Sequence, residues 1–336
     1  MIDKIIRESI DSLLLEEFGI IYSLEKFGDY IIERFYNNIV NRCYKDPSYN
    51  DNLTVIIDMG WAKRNIPCDN WYGIDELKYI FLKTIVEDSD TSATVEFDKD
   101  SLTAATIEIN VKIGFNKIDL ISNIKQYGVE RMKEVFISMY KESIMHELTH
   151  LIEVVKLKSR YQYPAYAYMG NYENMKDISF VFSKTEINAR ITTLYYCILN
   201  TSSLRKYVLT YNGKRGNLCR DIIEKTEGWN CTKDMRKYIS IFKNAINEDD
   251  EESFNFVKEF ISINKETAYN GSKNVFKLKW KKGKDGSYTE ANDSDAYIIN
   301  TAIKIYNQMC DMYYYYIRKL YKAADLAIEE VINKRS

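Results

Sequence analysis

The stretch Ile144–Glu153, "IMHELTHLIE", holds both histidines of a chain of 336 residues. His146 and His150 stand four residues apart, and Glu147 directly follows the first of them. The apolar helical pattern that contains them runs from Val129 to about Leu157 without Gly or Pro, which predicts one long helix. Because residues four apart share a face of a helix, the spacing directs both imidazoles to a common point.

Two neutral imidazole nitrogens about 2.1 Å from one ion form half of a tetrahedral zinc site. Glu147 lies one residue further round the helix, where it can take a proton from a water at that ion without becoming a ligand. The sequence therefore predicts that His146 and His150 bind Zn²⁺ and that Glu147 is the general base. The competing interpretation is that H-E-x-x-H arises by chance in an ordinary helix. The confinement of all histidine to this motif weighs against chance.

A third ligand has to be a carboxylate or a thiolate, because the chain has no third histidine. The best candidate is Glu186 in "SKTEINARITT", at the start of the next predicted helix, where Ala189 leaves room for close helix packing. Ser183 and Glu186 also fit a capping box, in which the glutamate would only bond a backbone N–H. Glu173 and Asp177 are the remaining candidates for the ligand.

Together, "HELTH" and "EINA" resemble the gluzincin branch of the zincin metallopeptidases, which carry H-E-x-x-H on one helix and E-x-x-A or E-x-x-D on the next. The resemblance covers Ile137–Ile191 and the strands before it, and it assigns no family within that branch. It implies a zinc peptidase that cleaves a peptide or protein substrate by Glu147-assisted attack of a zinc-bound water. It also implies an edge strand that binds the substrate by backbone pairing, here strand 105–113 or its partner 94–98.

The resemblance further implies a downstream residue that stabilises the tetrahedral oxyanion, often His or Tyr in gluzincins. In this chain that role falls to a tyrosine or an arginine. The candidates are Tyr168, with Tyr166 and Tyr172 beside it in the predicted loop 158–177, and Arg190. The alternative for each tyrosine is an ordinary packing or surface position.

The fold class predicted is α+β: a zincin-like core with a small mixed or antiparallel sheet, the H-E-x-x-H helix and a ligand helix, then a mainly helical C-terminal half. We expect a helical pair over 1–45, the core over 46–200 and a helical subdomain over 201–336. Strands are predicted at 53–59, 94–98 and 105–113, the last two as a hairpin. Further helices are predicted over 74–86, 184–199, 203–265 in several pieces, and 295–331.

The formal net charge of −2, from 47 basic and 49 acidic residues, predicts neither a nucleic-acid nor a membrane partner. Six cysteines without C-x-x-C spacing predict reduced thiols. The amphipathic N-terminal pattern is unlike a signal peptide, so we expect a cytoplasmic protein, or a virion-associated one if the source is a bacteriophage. The alternative function is a non-enzymatic virion or host-interaction protein that keeps a zincin core with a structural metal. A regulatory protease with one intracellular target is a third possibility.

Overall fold

A computed structural model of the chain describes residues 24–46, 54–68, 70–85, 92–97, 108–114, 117–157, 173–247, 250–269, 275–276, 278 and 294–334. Backbone contacts divide the chain into two compact units, Met1–Tyr161 and Gln162–Ser336. This division falls inside the predicted loop 158–177, whereas the last predicted domain boundary was near residue 200. The first unit combines helices with a sheet, and the described part of the second unit is helical, so the α+β class is confirmed at that level.

The described residues of the first unit form one sheet of four strands: β1 (Thr54–Asp58), β2 (Tyr79–Ile85), β3 (Ser92–Phe97) and β4 (Glu108–Gly114). Their order across the sheet is β1-β2-β4-β3. β2 and β4 are parallel, while each outer strand runs antiparallel to its neighbour, so the sheet is mixed. The strands predicted at 53–59, 94–98 and 105–113 are confirmed over their described residues, except that Met59 begins a helix. The pairing of the last two is also confirmed.

The prediction of a helix over 74–86 is wrong. Ile74–Glu76 is a short 3-10 helix, and the following residues form strand β2. In that strand Ile80 and Leu82 are buried while Tyr79 and Phe81 are half-buried, an alternation of period two. Hydrogen bonding to strands on both sides stabilises the extended conformation, which aromatic and β-branched residues also favour.

The helices of the first unit are α1 (residues 24–35), α2 (Asn41–Lys45), α3 (Met59–Asn65), α4 (Lys117–Tyr127) and α5 (Val129–Leu157). A π-helix, Tyr36–Val40, joins α1 to α2. The second helix of the pair predicted over 1–45 is thus confirmed, and the first lies outside the described residues. Gly128, with a φ of 87°, adopts the left-handed conformation that ends α4 and lets α5 begin. α5 has the bounds predicted for the H-E-x-x-H helix.

The second unit contains α6 (Glu173–Val181), α7 (Lys184–Asn200), α8 (Ser202–Thr210), α9 (Arg215–Glu224), α10 (Glu227–Ile246), α11 (Glu251–Tyr269) and α12 (Asp295–Asn333). α12 packs most extensively against α7 and α10. The helices predicted over 184–199, 203–265 and 295–331 are confirmed. The predicted loop 158–177 extends too far, because α6 already begins at Glu173, and its residues 158–172 lie outside the described ranges. Every helix in the described part of the chain is too short or too polar to span a membrane.

Candidate metal centre

α5 brings the two imidazoles together as predicted. The Nε2 atoms of His146 and His150 lie 3.1 Å apart, and the ring planes make an angle of 80°. Two nitrogens at that separation can both lie about 2.1 Å from one zinc ion with an N–Zn–N angle of about 95°. A regular tetrahedral angle needs about 3.4 Å between them, so an adjustment of about 0.3 Å completes the fit. The donor pair therefore suits a zinc ion.

Glu147 lies beside this pair. A carboxylate oxygen of Glu147 and one nitrogen of each histidine are all within 4.8 Å of one another, and the three residues are half-buried. The same 3.1 Å separation also suits an Nε2–H···Nε2 hydrogen bond when one ring carries its proton there. The two imidazoles can thus share either a proton or a metal ion. Glu147 is near enough to accept a proton from a water molecule at that point.

The two faces of α5 explain why the histidines reach solvent. Ile144, Leu148 and Leu151 are buried on one side of the helix. At about 100° per residue, His146 and His150 point in roughly the opposite direction. The apolar periodicity that forms the helix therefore also turns the imidazoles away from the core.

A tight turn braces α5 just beyond the second histidine. Tyr72 and Gly73 both have positive φ, 51° and 88°, and a Cβ added at Gly73 would lie 3.3 Å from Cγ1 of Val155. The Lys156 ammonium lies 5.6 Å from the centre of the Tyr72 ring. Sequence reasoning missed this contact; its signal was the glycine in the turn-rich segment before Ile74. The turn therefore packs directly against this end of α5.

In the described part of the sheet β3 is an edge strand, and it makes the most extensive contact of any described strand with α5. β4 is paired on both sides, with β2 and β3. Of the two strands predicted as the substrate-binding edge, 105–113 is therefore excluded, because no free backbone edge remains on an interior strand. Its partner 94–98, which corresponds to β3, occupies the edge instead.

Glu186 lies in the first turn of α7, in the second unit, and only 3% of its surface is exposed. Of the capping box predicted as its alternative role, the Ser183 side-chain bond is not formed. Ser183 is the N-cap residue, but its side chain makes no capping hydrogen bond, and its backbone N–H donates to the carbonyl oxygen of Phe180. Asp177 is exposed on α6, and the side chain of Glu173 lies outside the described residues. The ligand role of Glu186 stays a prediction.

Arg190 is half-buried on α7, with its guanidinium carbon 5.1 Å from the centre of the Phe180 ring. It also lies close to Cys231 and Tyr316, both almost completely buried. Burial raises the pKa of the Cys231 thiol and of the Tyr316 hydroxyl, and the positive charge of Arg190 partly offsets both shifts. Arg190 thus contacts a buried cluster in the second unit, and its predicted role at an oxyanion is untested. Tyr166, Tyr168 and Tyr172 lie outside the described residues.

No family model matches the chain, and no curated protein or solved structure shows significant similarity to it. The resemblance to gluzincins therefore depends on the motif and on its helical setting. In the described residues, the group of His, Cys, Asp and Glu side chains that can hold a metal is His146, Glu147 and His150.

Proposed function

We propose that the protein is a zinc-dependent peptidase. His146 and His150 would hold the ion, Glu186 would supply the third ligand, and Glu147 would be the general base. The observation that carries the proposal is the Nε2 separation of 3.1 Å, with a Glu147 oxygen within 4.8 Å of both imidazoles. Two converging imidazoles with an adjacent carboxylate match the ligand and base requirements of hydrolytic zinc chemistry.

A zinc ion at this point would polarise a peptide carbonyl and lower the pKa of a nearby water. Glu147 accepts a proton as the water oxygen attacks the carbonyl carbon. The carboxyl group then donates that proton to the amide nitrogen as the C–N bond breaks, which releases an amine and a carboxylic acid. His146 and His150 would hold the ion through their neutral ring nitrogens. Glu147 thus returns to its ionised form at the end of each cycle.

The sheet supports an extended peptide as the class of substrate. In the described part of the sheet, β3 pairs with β4 on one side, and its other backbone edge is available for another strand. An extended peptide can add to such an edge through main-chain hydrogen bonds. Because β3 contacts α5, a peptide on that edge would run close to the histidine helix.

The alternative is a non-enzymatic virion or host-interaction protein in which the same pair holds a structural metal. The two proposals differ in the role of Glu147, which a structural site does not require as a base. Substitution of Glu147 therefore separates them.

The test is Glu147→Gln, measured for zinc content by elemental analysis and for cleavage of a randomised peptide library by mass spectrometry. We expect one zinc ion per chain in both proteins, and a loss of cleavage of about 10²–10⁴-fold in the variant, because the base is removed and the histidines remain. Glu153→Gln is the matched control, since Glu153 is a half-buried glutamate on the same helix. Undiminished cleavage by Glu147→Gln would refute the mechanism. Zinc binding without cleavage by the wild type would favour the structural alternative.

A further inference from the structure

α1 and α5 pack side by side in antiparallel directions. Near one end of the contact the Tyr36 hydroxyl donates to the Val129 carbonyl oxygen at 2.8 Å. Towards the other end the Lys141 ammonium lies 2.8 Å from a carboxylate oxygen of Glu25 and 2.9 Å from one of Asp29. These side chains are only partly exposed, so the ion pairs are less screened than those on an open surface. These contacts fix the position of α5 relative to α1 along the helix axis.

The two helices approach closely at Gly28 of α1. A Cβ added there would lie 2.9 Å from Sδ of Met145, 3.6 Å from Cδ1 of Leu148 and 3.7 Å from Cγ2 of Ile144. Carbon and sulfur atoms do not normally approach within 3 Å, so any side chain at this position would displace Met145 or the helix itself. Met145 directly precedes His146. The contact thus lies at the turn that carries the first imidazole.

We propose that Gly28 is a positioning residue for the metal centre, an inference that rests on the zinc site proposed above. The residues that Gly28 contacts lie on the side of α5 roughly opposite the histidines, at about 100° per residue. A β-branched side chain at Gly28 would first displace the Met145 side chain, and because Met145, Leu148 and Ile144 are all buried, the strain would pass to α5 next to His146. Ligand groups have to be held within about 0.5 Å of their working geometry. The close packing of α1 against α5 therefore determines the direction in which the two imidazoles point.

The experiment measures zinc affinity in the full-length protein by competition with a chromophoric chelator. The variants are Gly28→Val, Met145→Ala and the double variant that combines them. We expect Gly28→Val to weaken zinc binding about tenfold or more, in the range found for residues that orient metal ligands. Removal of the side chain that carries the 2.9 Å contact should restore affinity in the double variant to within about threefold of the Met145→Ala protein.

The matched control is Gly216→Val. Gly216 is an exposed helical glycine in α9, and an added Cβ there would meet nothing within 4 Å. This variant carries the same loss of helical glycine and the same β-branched side chain, and we expect its zinc affinity to equal that of the wild type. Circular dichroism in the presence of a chelator would verify that each variant is folded.

The outcomes separate the two proposals. A wild type that binds no zinc would overturn the proposed function. A wild type that binds zinc, together with a Gly28→Val protein of equal affinity, would overturn only the positioning role of Gly28. If Gly28→Val weakens zinc binding and the added Met145→Ala substitution does not restore it, the steric explanation is overturned. If Gly28→Val does not fold, Gly28→Ala takes its place, with the absorption spectrum of bound Co²⁺ as the readout. An unchanged spectrum would overturn the inference.

Discussion

Zinc should raise the thermal unfolding midpoint of the wild-type protein and should do so through the histidine pair. A ligand that binds only the folded state at 100 times its dissociation constant stabilises that state by about 2.7 kcal/mol. The histidines belong to a compact unit of 161 residues, Met1–Tyr161. For a unit of that size each kcal/mol shifts the midpoint by about 2–4 °C, so zinc should raise it by about 5–10 °C.

The informative perturbation is His150→Ala. Because the two Nε2 atoms lie 3.1 Å apart and can chelate one ion, loss of either imidazole leaves a single nitrogen on α5. Removal of a direct ligand should weaken binding by at least about 100-fold, more than the 10–100-fold typical of residues that only orient ligands. At the same zinc concentration the remaining stabilisation is at most about 0.4 kcal/mol, which corresponds to a shift of no more than about 1–2 °C.

The assay is differential scanning calorimetry of chelator-treated protein with and without added zinc, each variant being compared with its own metal-free sample. Ser138→Ala is the matched control, because Ser138 is an exposed residue of α5 two turns before the pair, and its shift should equal that of the wild type. An equal shift in the wild type and in His150→Ala would refute the reasoning, since the ion would then bind elsewhere. A wild type without any shift would refute the site.

Three further predictions concern stability in the first unit. Tyr36→Phe should cost about 1 kcal/mol through loss of the hydroxyl bond to the Val129 carbonyl. Burial raises the pKa of Tyr36 to about 12, so stability from the protonated hydroxyl is present below the unfolded pKa of about 10 and is lost as the pH rises through the folded pKa. In denaturant melts, the difference in free energy of unfolding between the wild type and Tyr36→Phe should therefore shrink as the pH rises between these two values. A difference that stays constant would contradict this prediction. Asp58→Ala should lower the free energy of unfolding by about 1 kcal/mol in the same melts, because the Asp58 carboxylate caps α3 by accepting from the Trp61 N–H at 2.9 Å. Asp58→Asn can still cap the helix and should cost little. Equal losses in the two variants would argue against capping. Gly73→Ala should cost about 1–2 kcal/mol, because a φ of 88° strains any residue with a Cβ, and a neutral Gly73→Ala would show that the turn relaxes freely.

The sequence alone determined α5 and the convergence of its imidazoles. Both depend on residues within a few positions of one another, since helical hydrogen bonds join each residue to one four positions away. The apolar period predicted the helix bounds, and the i, i+4 spacing placed His146 and His150 on one face. The helices of the second unit, apart from α6, were predictable for the same reason.

The tertiary structure alone decided the features that depend on distant partners. Residues 79–85 became β2 instead of a helix because β1 and β4 supply hydrogen bonds on both sides. β4 became an interior strand and β3 an edge for the same reason, and no local pattern records the order of strands. The seating of Gly28 on Met145 joins positions more than a hundred residues apart. Short-range periodicity specifies a helix and the face that it buries, but the element that covers that face is determined only when the chain has folded.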